Sequence, residues 1–135
     1  MDLQQLNWLG IFLAALVGFV LGGIWFQPFA FGKAWKSFLH TTEEQRKKNS
    51  KKALTLTFII YLFMGWVFIG YFQALHLHGW MDGAKQGLFL GVGFAATNGL
   101  VESLFRAEPF KQFLIEYGCQ VLTMVVMGAI LAMFV

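Results

Sequence analysis

Two short rows of polar side chains interrupt an otherwise apolar chain. Asn98, Glu102 and Arg106 recur at every fourth residue, and so do Gln112, Glu116 and Gln120. On a helix turning about 100° per residue, positions four apart share one face. Carboxyl and amide groups at that spacing suit proton-coupled movement of a solute or cation, because hydrocarbon offers such groups no partner and their presence there marks a path. Together with Gln27, they predict one polar pocket made by Gln27, Asn98, Glu102, Arg106, Glu116 and Gln120. The same residues also have a structural use. Glu102 can pair with Arg106 along its own helix, and the amides can staple neighbouring helices at about 0.6 kcal/mol each.

Other chemistries find less support. His76 and His78 would lie on one side of an extended segment and bind zinc or copper there, but on a helix they diverge by about 200°. No third ligand stands near them, so a wet interfacial turn is the reading and no resident metal is expected. Ser103 beside Glu102 lacks a histidine, and Gly91-Val92-Gly93 lies in an apolar run without the strand-turn-helix setting of a nucleotide loop. No catalytic residue and no cofactor follow from the sequence. The single cysteine, Cys119, excludes an internal disulfide and reads as a small packing residue.

Four apolar stretches must position these groups, at residues 7–26, 54–75, 84–105 and 113–134. Each reaches the roughly 20 helical residues that cross a bilayer. The composition agrees: 58% of residues are hydrophobic and 13% are charged, where a soluble domain carries about 25% charge. The expected fold is all-α, a single integral membrane domain of four transmembrane helices in up-down order. The start of the chain is acidic and free of lysine, unlike a secretory signal peptide, so the first helix should be retained.

Small residues recur at every fourth position in the first span (Gly10, Ala14, Gly18, Gly22) and in the third (Gly83, Gly87, Gly91, Ala95, Gly99). Apolar side chains gain little by exchanging lipid for one another, so membrane helices associate where small residues let backbones approach. These two helices are therefore expected at the centre, against each other or against their copies in a homo-oligomer.

Between the first two spans, Trp25, Pro28, Lys33 and Trp35 mark a helix leaving hydrocarbon, since indoles favour the headgroup layer and lysines reach beyond it. The connection 33–52 holds Lys33, Lys36, Arg46, Lys47, Lys48, Lys51 and Lys52, seven of the ten basic residues. Such a cluster beside a membrane exit suits anionic lipid headgroups at 46–52 better than nucleic acid. Arg106 and Lys111 fall on the same side and Lys85 alone on the other, which puts both termini outside the cytoplasm. Thr41 with Glu44 forms a capping-box pattern, and Glu43/Lys47 and Glu44/Lys48 have ion-pair spacing, so a short helix should run into the second span. A faint echo relates Phe26-Gln27-Pro28-Phe29 to Phe105-Arg106-Ala107-Glu108-Pro109-Phe110, as two repeated helical hairpins would produce.

Three segments carry a family resemblance. Trp25-Phe26-Gln27-Pro28 with Phe31-Gly32-Lys33-Ala34-Trp35, Asn98 with Phe105-Arg106 and Pro109-Phe110-Lys111, and Tyr117-Gly118 with Met127-Gly128-Ala129-Ile130-Leu131 resemble the bacterial membrane family called domain of unknown function 1761. The resemblance implies a small four-span protein of the inner membrane and brings no activity, substrate or catalytic residue. Two functions fit the sequence. One is a structural or accessory membrane protein that forms oligomers or binds a larger partner. The other is a minimal proton- or cation-coupled transporter or channel, with its pathway beside Glu102, Glu116 and Asn98.

Overall fold

The computed structural model describes residues 8–27, 30–39 and 42–134. These residues form α1 (Trp8–Trp25), α2 (Gly32–Phe38), α3 (Glu43–Leu75), α4 (Trp80–Leu90), a π turn (Gly91–Ala96), α5 (Thr97–Phe105) and α6 (Phe110–Ala132), and no strand. Four stretches are long and apolar enough to cross a membrane: Trp8–Trp25, Glu43–Ala74, Trp80–Phe105 and Phe110–Ala132. The outward faces match that solvent, since Phe63, Phe89, Phe94 and Phe105 are all more than half exposed. Water would penalise such a surface heavily.

α3, α4 and α6 begin before the expected apolar stretches because local signals, not hydropathy, start them. Thr42 caps α3: its hydroxyl accepts from Gln45 N at 3.2 Å, and Gln45 Oε1 accepts from Thr42 N at 3.1 Å. The capping box therefore sits one residue after the expected Thr41/Glu44 pair, both registers fitting the same pattern, and Thr41 lies outside the described residues. Neither Glu43–Lys47 nor Glu44–Lys48 closes to an ion pair among the described residues.

The far end of α3 and the end of α5 share one terminating device. Leu77 N donates to Phe72 O and His76 N to Gln73 O, while Glu108 N donates to Ser103 O and Ala107 N to Leu104 O. These are Schellman closures, with His76 (φ 55°) and Ala107 (φ 54°) in the left-handed position that glycine usually takes. His76 is thus a helix terminator.

Consecutive spans run antiparallel, and α6 is the helix the others share. The core joins Ile11 and Ala14 of α1, Phe68, Ile69 and Phe72 of α3, and Met127, Leu131 and Ala132 of α6. On the opposite flank of α6 lie α4 and α5. Their seam is closest where glycines meet: a Cβ at Gly83 would strike Gly128 O, and one at Gly87 would strike Met124 O. The two small-residue helices therefore do not form a central pair. Gly10 faces Phe134 and Gly18 faces Met127 and Thr123, so each helix uses its stripe against α6 from its own side.

The π turn changes the helical phase, and this decides which side chains face inward. In an uninterrupted α-helix Asn98 would come within about 20° of Gly87, on the seam. A π turn holds about one extra residue, which moves everything after it by roughly 100°. Gly91, Gly99 and Ser103 consequently stay buried in line with Gly83 and Gly87, and Ala95 is half-buried. Asn98 turns outward and is exposed.

Candidate functional site

The junction after α1 is a compact backbone turn. Ala30 N and Gly32 N both donate to Gln27 O, at 3.0 and 2.9 Å, and Phe31 N donates to Trp25 O at 3.1 Å. Gly32 is buried here, and a Cβ on it would collide with Phe26 O and lie 2.8 Å from Gln27 O. Only a residue without a side chain lets α2 start this close to the end of α1. Pro28, within the turn, lies outside the described residues.

That close start aims two indoles at α6. Trp25 Nε1 donates to Ile115 O at 2.9 Å, using the carbonyl's second lone pair, and Trp35 Nε1 donates to Glu116 Oε1 at 3.1 Å. Trp25 packs against Phe31 with ring centroids 4.5 Å apart and planes tilted by 34°, and Trp35 against Phe26 at 4.7 Å and 53°. Trp25 ends α1 and Trp35 lies in the middle of α2, and the polar edges of both turn inward to bind α6. Lys33, on the outer side of α2, is exposed.

Behind Trp35 opens a crevice of about 560 Å³ between α1, α2, α3 and α6. Gly22 and Gly23 form part of its wall, and nothing lies within 4 Å of a Cβ placed on either. The stripe on α1 thus changes use along its length, packing at Gly10 and Gly18 and leaving space at Gly22. The crevice is lined by rings (Phe19, Phe26, Trp35, Tyr61) and by the polar groups of Gln27, Thr57, Glu116, Cys119 and Gln120. A second hollow shares Thr57, Tyr61 and Gln120 with it and is also lined by Thr123. Thr123 is 1% exposed, and its hydroxyl lies beside the polar groups of Tyr61 and Cys119.

Glu116 is the charged member of this set. Its Oε1 accepts from Trp35 Nε1 and, at 3.3 Å, from Gln112 Nε2. Among the described residues no cation comes within ion-pair distance, and Oε2 has no hydrogen bond. Gln27, exposed at the rim, donates through Nε2 to Gly23 O at 3.0 Å.

The six residues expected in one pocket are therefore divided. Gln27, Glu116 and Gln120 line the crevice. Asn98, Glu102 and Arg106 lie on the outward face of α5, turned away by the π turn. Arg106 spans Glu102 and Glu108 at 3.8 Å each, but its pair with Glu102 is about two-thirds exposed on both sides (66% and 61%) and holds nothing buried. His76 and His78 are both exposed, and no three potential metal ligands gather among the described residues. The aromatic lining, Tyr61 and Thr123 were missed from sequence. Thr57 and Tyr61 are polar residues four apart in an apolar run, and that was the available signal.

A family model described as a protein of unknown function, DUF1761, matches residues 9–132. The chain belongs to the DUF1761 family. No curated protein and no solved structure matches it. The matched span of this DUF1761 protein contains the junction turn, the crevice and the whole of the α4–α6 seam.

Proposed function

We propose that this protein is a four-span inner-membrane protein whose crevice binds a small solute in the cytoplasmic half of the bilayer, as the site of a minimal transporter. The observation that carries this reading is the crevice itself, an aromatic-walled space around a carboxylate that no described cation neutralises. Ligand sites are concave and mostly apolar, with a few polar groups that fix orientation, and occupy about 300–1,000 Å³. The orientation follows from the basic residues of 33–52 together with Arg106 and Lys111, which favour the cytoplasm. The crevice has Trp35 of that connection in its wall, and 46–52 would rest on anionic headgroups there.

Cys119 lines the crevice, is the chain's single cysteine and is only 4% exposed, so its alkylation requires a reagent to enter that space. In proteoliposomes, a membrane-impermeant maleimide should alkylate it in the native protein, and Gly22→Leu, which fills the space, should slow alkylation at least tenfold. If Cys119 reacts only after denaturation, the crevice is closed to solutes and the reading fails.

A second reading, a homo-oligomer, is favoured by Asn98. It is exposed in an apolar helical stretch, where a lipid-facing amide is costly and a second copy would supply a partner. Oxidation of Asn98→Cys in a Cys119→Ser background should then yield a disulfide-linked dimer in the membrane. Purely monomeric protein under oxidising conditions would rule this out.

A further inference from the structure

We propose that the crevice takes an organic ammonium ion, with Glu116 as its counter-ion and the surrounding rings as its walls. This rests on the reading of the crevice as a solute site and adds the class of solute. The first ground is charge. Every named lining residue is neutral or acidic, and none is lysine, arginine or histidine. Arg46 borders a separate hollow that shares only Trp35 and Leu54 with this one. An anion would meet the Glu116 carboxylate with no positive group among the described lining residues to offset it, whereas a cation would gain an ion pair in a poorly hydrated space.

The second ground is geometry. Two neutral donors, the Trp35 indole and the Gln112 amide, converge on Oε1 and leave Oε2 without a partner. The carboxylate is thus held in place by groups that do not neutralise it. A cation beside it lies among the faces of Phe26, Trp35 and Tyr61, and the negative faces of aromatic rings attract cations by about 2 kcal/mol or more when desolvated. Gln120, exposed at the crevice and without a hydrogen bond among the described residues, supplies an acceptor for an N–H group.

The third ground is size and character. A metal ion requires several converging ligands, and no three His, Cys, Asp or Glu side chains gather among the described residues. About 560 Å³ accommodates a substituted amine. The ammonium group can come from a free lipophilic amine or from the amino headgroup of a membrane lipid. The chemistry is shared, and the lipid composition of the assay separates the sources.

The test uses the full chain in nanodiscs of phosphatidylglycerol. Three probes are titrated by calorimetry and by protection of Cys119 from maleimide: phenethyltrimethylammonium, its uncharged carbon isostere, and phenylbutyrate. Saturable binding and protection are expected for the ammonium probe, with the isostere and the anion at least tenfold weaker. Glu116→Gln keeps an acceptor for Trp35 and Gln112, so the fold should survive, as elution volume and helix content would verify. It should weaken the ammonium probe by between about tenfold and a hundredfold, equivalent to about 1.4–2.7 kcal/mol, and leave the isostere unchanged. Trp35→Leu should weaken it further than Trp35→Phe.

Equal binding of the isostere and the ammonium, or unchanged affinity in Glu116→Gln, would overturn the ammonium proposal and leave the crevice reading standing. Failure of all three probes, with Cys119 unreactive in the native protein, would overturn both. Repeating the titration with phosphatidylethanolamine present identifies the source. Weaker probe binding in wild type, but not in Glu116→Gln, marks the headgroup as occupant, and unchanged binding marks a free amine.

Discussion

The same substitution, glycine to alanine, should have opposite effects at two positions of one membrane stretch. At Gly87 a Cβ would strike Met124 O and lie 2.8 Å from Met124 C and 2.9 Å from Val125 Cα. All three are backbone atoms of α6 and cannot rotate aside. Non-bonded carbons settle at about 3.5–4.0 Å, so the helices must part by roughly 1 Å, and a gap of that size forfeits about a quarter to a half of each contact's attraction. Overpacking of this kind costs about 1–3 kcal/mol. Gly83 and Gly128 share the seam and would be pulled apart with it. Alanine recovers about 0.5–1 kcal/mol of backbone entropy, which leaves a net loss of up to about 2.5 kcal/mol for Gly87→Ala. At Gly93 nothing lies within 4 Å of the added methyl, so Gly93→Ala should be neutral or gain up to about 1 kcal/mol. Reversible unfolding in mixed micelles, followed by circular dichroism, measures both. Equal shifts in the two variants, or a more stable Gly87→Ala, would refute the seam.

Further outcomes follow from the same geometry. Trp35→Phe keeps a ring in the crevice wall but removes the indole N–H from Glu116. A half-buried bond to a carboxylate is worth about 1 kcal/mol, so α2 amides should exchange about fivefold faster while α6 is unaffected. Ala107→Gly should stabilise the protein by about 1 kcal/mol, because the left-handed conformation at φ 54° costs an L-residue about that much relative to glycine, and thermal unfolding in micelles reads it. Glu102→Gln should change stability by less than about 0.5 kcal/mol at any salt concentration, since both partners of its 3.8 Å contact are mostly exposed. Gly32→Ala should unseat α2, and the emission of Trp35 should shift toward the red as its ring leaves the crevice wall.

The helical architecture was legible because it depends on solvent and on short-range signals. A run of apolar residues long enough for a bilayer, ended by a capping pattern or by Pro109, needs no knowledge of its neighbours. The small-residue stripes were legible for the same reason, since a glycine repeat records that something comes close. It does not record what comes close. Gly83 and Gly87 meet Gly128 and Met124 of α6, not the stripe of α1, because α6 carries its own glycine at the matching height.

The pocket was half legible. Gln112, Glu116 and Gln120 lie on an uninterrupted helix, where counting by four holds, and the crevice contains two of them as lining. Asn98 and Glu102 follow a π turn, and one extra residue per turn cannot be read from glycines and phenylalanines alone.

From the residues themselves came the medium, the number of spans, their order and the clustering of positive charge, all of which follow from transfer energies and helix periodicity along a single segment. The crevice came from how segments meet. Gly32 brings α2 back against α1, the indole of Trp35 finds Glu116, and Gly22 faces empty space where Gly18 faces α6. The Trp35–Glu116 contact alone joins residues 81 positions apart. They depend on packing between surfaces, for which no local pattern of residues carries a signature.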